Sequence, residues 1–159
     1  MNKFVIALLM LIVPAVVAAA GPPMAPTLPV VQLTSITGTA VSADQFGVEK
    51  KMLLILVTKG NPAGERLIGF LESVPELSAD RVAIIVGNGD SAVVATIAQR
   101  HQTLKVEWYP DPDEQITKGL KLQATPVILG IRSGSVAWRV VGLRDEEEMG
   151  KTLRGWISR

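Results

Sequence analysis

The sequence contains no cysteine, and this absence excludes more than any single residue present suggests. Without a thiol there is no disulfide, no thiolate nucleophile, no cysteine-ligated metal, no c-type haem attachment and no lipobox for an acyl anchor. One histidine, His101, leaves a conventional zinc site short of ligands. A basic surplus is also missing. Sixteen Lys+Arg stand against 15 Asp+Glu, and loss of Lys3 with an export signal would leave 15 of each. That balance argues against nucleic acid, and no Lys/Arg run offers itself to anionic lipid. Internal repeats and long low-complexity segments are absent as well. What remains is a chain of 159 residues, long enough for one domain with a core and, at 48% hydrophobic, too apolar for disorder.

The N-terminus reads as an export signal over residues 1–20. Met1 to Lys3 is a short basic start, Phe4 to Val17 is apolar apart from Pro14, and Ala18-Ala19-Ala20 is a small-residue cleavage pattern, with the cut expected before Gly21. The apolar run falls short of the roughly 20 residues that a spanning helix needs. The expected location is therefore the periplasm, with membrane contact only if the signal stays uncleaved. Residues 21–29, GPPMAPTLP, should form an extended, proline-rich leader, and residues 30–159 one domain.

The domain is built around KMLLILVTKGNPAGERLIGFL, residues 51–71. Met52 to Val57 is a continuous apolar run, as in a strand covered on both faces. Thr58 to Gly64 has turn chemistry, and Leu67, Ile68, Phe70 and Leu71 recur at helical spacing. Before this unit lie a short strand (Val30 to Leu33), a return strand (Thr39 to Val41) and a helical turn with Ser42 as N-cap. After it come a second buried strand (Arg81 to Val86), a helix capped by Asp90 or Ser91 and ending at His101, and a strand from Lys105 to Tyr109. A turn at Pro110 to Asp113 feeds a helix from Glu114 to Leu122. Val127 to Arg132 and Ser135 to Val141 form a hairpin across Ser133-Gly134, with Val136, Trp138 and Val140 on one face. A closing helix spans Asp145 to Ser158, acidic at its start and basic at its end. Strands alternating with helices, finished by a hairpin and a helix, imply an α/β three-layer sandwich with a central mixed sheet.

Most other candidate chemistry has an ordinary explanation. Gly60 to Gly64 lacks the Lys and hydroxyl of a phosphate-binding loop. Asn61 is among the best helix caps, and Lys59 reads as a solvated side chain. His101 has no carboxylate or hydroxyl motif near it in sequence. Asp111 and Asp113 flank Pro112 without the EF-hand pattern and read as a turn. Trp138 and Trp156 should pack inside, whereas Trp108-Tyr109 at a strand end is a candidate for partial exposure to a partner. No residue set calls for a metal or cofactor.

Four stretches in order carry a resemblance: VVQLTSITGTAVSADQF, KMLLILVTKGNPAGERLIGFL, YPDPDEQITKGLKLQATPVILGIRSGSVAWRVVG and RDEEEMGKTLRGWI. Together they resemble the periplasmic thioredoxin-fold proteins of the branch containing TlpA and ResA, thiol-disulfide oxidoreductases. The resemblance implies a thioredoxin-like sandwich over nearly the whole exported chain. It places the branch's C-x-x-C at Asn61-Pro62-Ala63-Gly64, where neither end residue can exchange a disulfide. It also places the branch's cis-proline loop at Thr125-Pro126, facing the first loop and pairing with an extended peptide. The implied function is a redox-inactive binding or assembly module in the cell envelope, not a thiol-disulfide oxidoreductase. Its partner would be a periplasmic or envelope protein or peptide, held in a groove of Lys59, Gly60, Asn61, Pro62, Ala63, Gly64, Thr125, Pro126 and Val127. The alternatives are non-thiol chemistry on the same fold and a purely structural subunit of an envelope complex.

Overall fold

A computed structural model describes residues 25–143 and 145–158. The expected export signal and residues 21–24 of the leader lie outside the described residues. Strands β1 (Gln32–Thr34) and β2 (Ala40–Ser42) form a small antiparallel hairpin, followed by a 3-10 turn at Ala43–Gln45. The main elements follow as β3 (Met52–Thr58), α1 (Pro62–Leu71), β4 (Val82–Gly87), α2 (Ser91–Arg100), β5 (Glu107–Asp111), α3 (Gln115–Gly119), β6 (Val127–Arg132), β7 (Ser135–Val141) and α4 (Glu146–Ile157).

The five-stranded sheet runs β5-β4-β3-β6-β7. β4 lies parallel to both β3 and β5, while β6 is antiparallel to β3 and to β7. The expected mixed sheet is therefore present, with the apolar run of β3 at its centre. Alternation along β3 sends Leu53, Ile55 and Val57 to the face covered by α1, α2 and α4, and Leu54 and Leu56 to the face covered by α3, the β1–β2 hairpin and Leu28. Leu53, Leu54, Ile55 and Leu56 are almost wholly buried, each worth about 1.5–3 kcal/mol against exposure. The end of the leader is stitched to the sheet: Val136 donates its N–H to the Pro26 carbonyl at 2.9 Å, Thr27 bridges Ser135, and Leu28 is buried.

Several local expectations need correction. Trp108 and Tyr109 are both buried, one on each face of β5, so they offer no exposed contact. Burial, and secondarily Glu107, raises the Tyr109 hydroxyl pKa. β5 begins two residues later than expected and includes Pro110, which an edge strand tolerates because one side of it needs no donor. Helix α3 spans only five residues, bounded by Glu114 and Lys121 at positive φ. Ser42 makes no capping bond and instead donates to Asp44. Val136 does not share a face with Trp138 and Val140. The β6–β7 register slips between Gly130 and Ile131, so Gly130 opposes Trp138 while Ile131 opposes Val136. One extra residue in a strand reverses the facing of everything beyond it.

Helices α1 and α2 are joined by a polar cluster. His101 lies between two carboxylates of α1, with Nδ1 3.1 Å from Glu72 and Nε2 3.5 Å from Glu65. Arg100 reaches Glu65 at 3.1 Å, and the Thr103 hydroxyl donates to Glu72. The bond from Thr103, then that from His101, holds the Glu72 pKa below its ordinary value of about 4.5. A depressed carboxylate pKa stabilises the fold above the unfolded value, and that contribution is lost as pH falls through the folded value. Glu72→Gln should therefore flatten the acid limb of a melting-temperature profile below about pH 4.5. An unchanged acid limb would contradict the assignment.

Candidate functional site

The strand order builds the site. β3 and its antiparallel neighbour β6 sit side by side, so the loop leaving β3 and the loop entering β6 meet at one end of the sheet. Gly60, at φ +75°, lets the first loop turn sharply into α1. Asn61 is the N-cap, its Oδ1 accepting the Ala63 N–H at 3.0 Å, and Pro62 occupies the first helical position, where a missing N–H costs nothing.

The Asn61 amide has a second task. Its Nδ2 donates to the Thr125 carbonyl at 2.9 Å and lies 3.4 Å from the Thr125 hydroxyl. One side chain thus caps α1 and ties two loops that are 64 residues apart. Thr125 Oγ1 also lies 2.8 Å from Thr58 Oγ1, and Thr58 donates to Glu114 Oε1 at 3.4 Å. The Thr125–Pro126 peptide bond is cis. Thr58 and Glu114 are absent from the expected set. Thr58 has a weak sequence signal as the polar residue ending an apolar strand, while Glu114 arrives from a separate loop.

The expected residues divide in their placement. Lys59, Gly60 and Pro62 are exposed, Asn61, Ala63 and Thr125 are half-buried, and Gly64, Pro126 and Val127 are buried. Val127 sits between Leu56 and Val141 in the sheet, so its backbone faces neighbouring strands and not a groove. The Pro126 carbonyl accepts the Gly142 N–H at 2.8 Å. The available backbone therefore narrows to Thr125, whose carbonyl already holds Asn61 and whose N–H meets no acceptor among the described residues.

The helix start also keeps a specific spacing. A Cβ built on Gly64 would stand 3.9 Å from Asn61 Cβ and 3.3 Å from Val57 Cβ. The former is the separation of two half-cystines, about 3.5–4.5 Å.

Truncating Asn61 separates its two tasks. Asn61→Ala should cost about 2 kcal/mol, roughly 1 for the cap and about 1 for the bond to Thr125. Asn61→Ser keeps a capping oxygen and should recover about half of that loss. Chemical denaturation measures both: an Asn61→Ser protein as stable as the parent would mean that the inter-loop bond contributes nothing, and equal losses for the two variants would mean that the cap contributes nothing.

No family model matches the sequence, and no curated protein matches it. Solved structures do. The chain is similar to a secreted Mycobacterium tuberculosis disulfide oxidoreductase described as homologous to E. coli DsbE, at TM-score 0.65 and 14% identity, over 79% of this chain and 96% of that one. It is similar to a thio-disulfide isomerase from Thermus thermophilus, at TM-score 0.65 and 16% identity, over 81% and 93%. It is also similar to the exposed lipoprotein thioredoxin of Streptococcus pneumoniae, at TM-score 0.58 and 14% identity, over 79% and 98%. At such identities the likeness shows the fold, which is thioredoxin-like, while this chain carries no cysteine. Among the described residues no helix is long and apolar enough to cross a membrane.

Proposed function

We propose that the chain is a redox-inactive thioredoxin-like domain that works in the cell envelope as a protein- or peptide-binding module. The observation that carries this reading is the Asn61 bridge. At the loop–helix junction an amide holds the two loops in register through the Thr125 carbonyl, in a chain with no thiol. An amide can donate and accept hydrogen bonds but cannot exchange electrons with a disulfide.

The same geometry sets how a peptide would bind. The Thr125 N–H is the donor available for an extended peptide's carbonyl, as in strand addition. Lys59 and the exposed turn at Gly60 and Pro62 form one rim. Export is supported by the apolar N-terminal run and by neighbours described as secreted and as an exposed lipoprotein.

The test is capture from a native periplasmic extract by the protein and by the double variant Asn61→Lys with Thr125→Arg, both verified as folded. A partner held by the parent and lost by the variant is expected. A partner held equally by both would move the interface away from these loops and favour a structural subunit.

A further inference from the structure

A second feature lies on the helix-covered face, near the opposite ends of β3 and β6 from the loops that Asn61 ties together. A cavity of about 520 Å³ is bordered by Lys51, Arg132, Trp138, Lys151, Gly155 and Trp156. The pairing of Met52 with Ile131 brings Lys51, one residue before β3, to the same end of the sheet as Arg132, and both border this cavity. Like charges gathered at one place repel. Among the described residues no carboxylate lines the cavity. Among the described residues neither Lys51 nor Arg132 makes an ion pair, and Lys151 pairs with Glu147 at 2.6 Å.

The aromatic floor is fixed in place. Trp156 donates its indole N–H to the Met52 carbonyl at 3.0 Å, and Trp138 packs edge-on against it at 5.5 Å. Lys51 Nζ lies 5.0 Å from the centre of the Trp156 ring. Gly155 is the other anomaly. It sits inside α4, where glycine weakens a helix, yet a Cβ there would meet nothing within 4 Å. Packing does not require this glycine, and its missing side chain keeps the trough open. Unneutralised cations and a helix-weakening glycine at one place are costs to stability of the kind found at ligand sites.

We infer that this trough binds a phosphate-bearing anion with an apolar body. One guanidinium fork and two ammonium groups present donors from several directions, which suits a tetrahedral oxyanion better than a planar carboxylate. The Trp138 and Trp156 rings take the apolar part. These three cations are scattered along the sequence, so no basic run announces them.

Tryptophan fluorescence of the full chain, titrated with hexyl phosphate, tests the site. The controls are hexanoate and inorganic phosphate, and sedimentation with phosphatidylcholine vesicles, with and without phosphatidylglycerol, forms a parallel arm. Hexyl phosphate should saturate and should bind more tightly than either control. Arg132→Gln should weaken it about tenfold with the melting temperature unchanged or raised, because a repulsion is relieved. Gly155→Leu should also weaken binding, by filling the trough with every charge kept, and should not lower the melting temperature. Sedimentation with phosphatidylglycerol vesicles that Arg132→Gln abolishes would assign the phosphate to a lipid headgroup. Hexyl phosphate binding without sedimentation would assign it to a soluble ester. Absence of saturation in both arms, hexanoate binding as tight as hexyl phosphate, or parent-like binding by both variants would overturn the inference.

Discussion

Replacing Asn61 and Gly64 together by cysteine should produce a 61–64 disulfide and give the chain a thiol-disulfide activity that the parent lacks. The Cβ positions, 3.9 Å apart, already match the separation that a disulfide requires. Residue 61 stands at the N-cap of α1, where the helix dipole and free amides favour a thiolate. The first cysteine should therefore have a pKa below the ordinary value of about 8.5. Two effects work against the variant: the Val57 side chain must shift slightly, and the Asn61 bond to Thr125 is lost. Neither moves the backbone of the first helical turn. Insulin reduction in the presence of dithiothreitol should rise from background to a clear rate, and thiol titration of the air-oxidised variant should find no free thiol. A folded variant that keeps two free thiols under oxidant would show that residues 61 and 64 do not occupy a dithiol position.

The largest loss of stability should come from adding one methyl group at Gly130. A Cβ there would lie 2.2 Å from Trp138 Nε1 and 2.3 Å from Cε2, well inside contact distance. Trp138 must move to clear the new methyl, and that movement disturbs its edge-on contact with Trp156, which is itself bonded to the Met52 carbonyl. Overpacking of this kind costs typically 1–3 kcal/mol, and with a contact this short about 3 kcal/mol is expected for Gly130→Ala. For a domain of this size that lowers the melting temperature by about 10 °C. Adding Trp138→Leu should recover part of the loss, since the two substitutions share one contact. A Gly130→Ala protein as stable as the parent would mean that the β6–β7 bulge does not seat Trp138 over residue 130.

These two positions show what the sequence could and could not reveal. The central strand and the mixed sheet were legible because Met52 to Val57 and Val82 to Val86 are short apolar runs without a break, bounded by turn residues, as strands covered on both faces are. The cap at Asn61 was legible from residue type and position. Its bond to Thr125 was not, because that contact depends on the antiparallel placement of β6 beside β3, and nothing local encodes it. The same holds for His101, whose carboxylates come from α1. Glu65 and Glu72 are seven apart and so share a face of that helix, but only tertiary packing turns that face toward α2. The bulge at Gly130 defeated the simple alternation that put Val136 with Trp138. Trp108 and Tyr109 read as a strand end because Pro110 and Asp111 look like a turn. The strand in fact runs through both, and the Asp111 carboxylate caps α3 by accepting the N–H groups of Gln115 and Ile116.

The most direct test of the binding reading uses the Thr125 amide as its own reporter. A peptide selected by display against the protein would be titrated into isotopically labelled chain, with amide shifts and hydrogen exchange followed residue by residue. The expected result is shift changes confined to residues 59–64 and 124–126, with the Thr125 N–H slowed in exchange as it gains a carbonyl partner. Shift changes centred on another face, with Thr125 exchanging as fast as before, would contradict the claim that these two loops form the binding site.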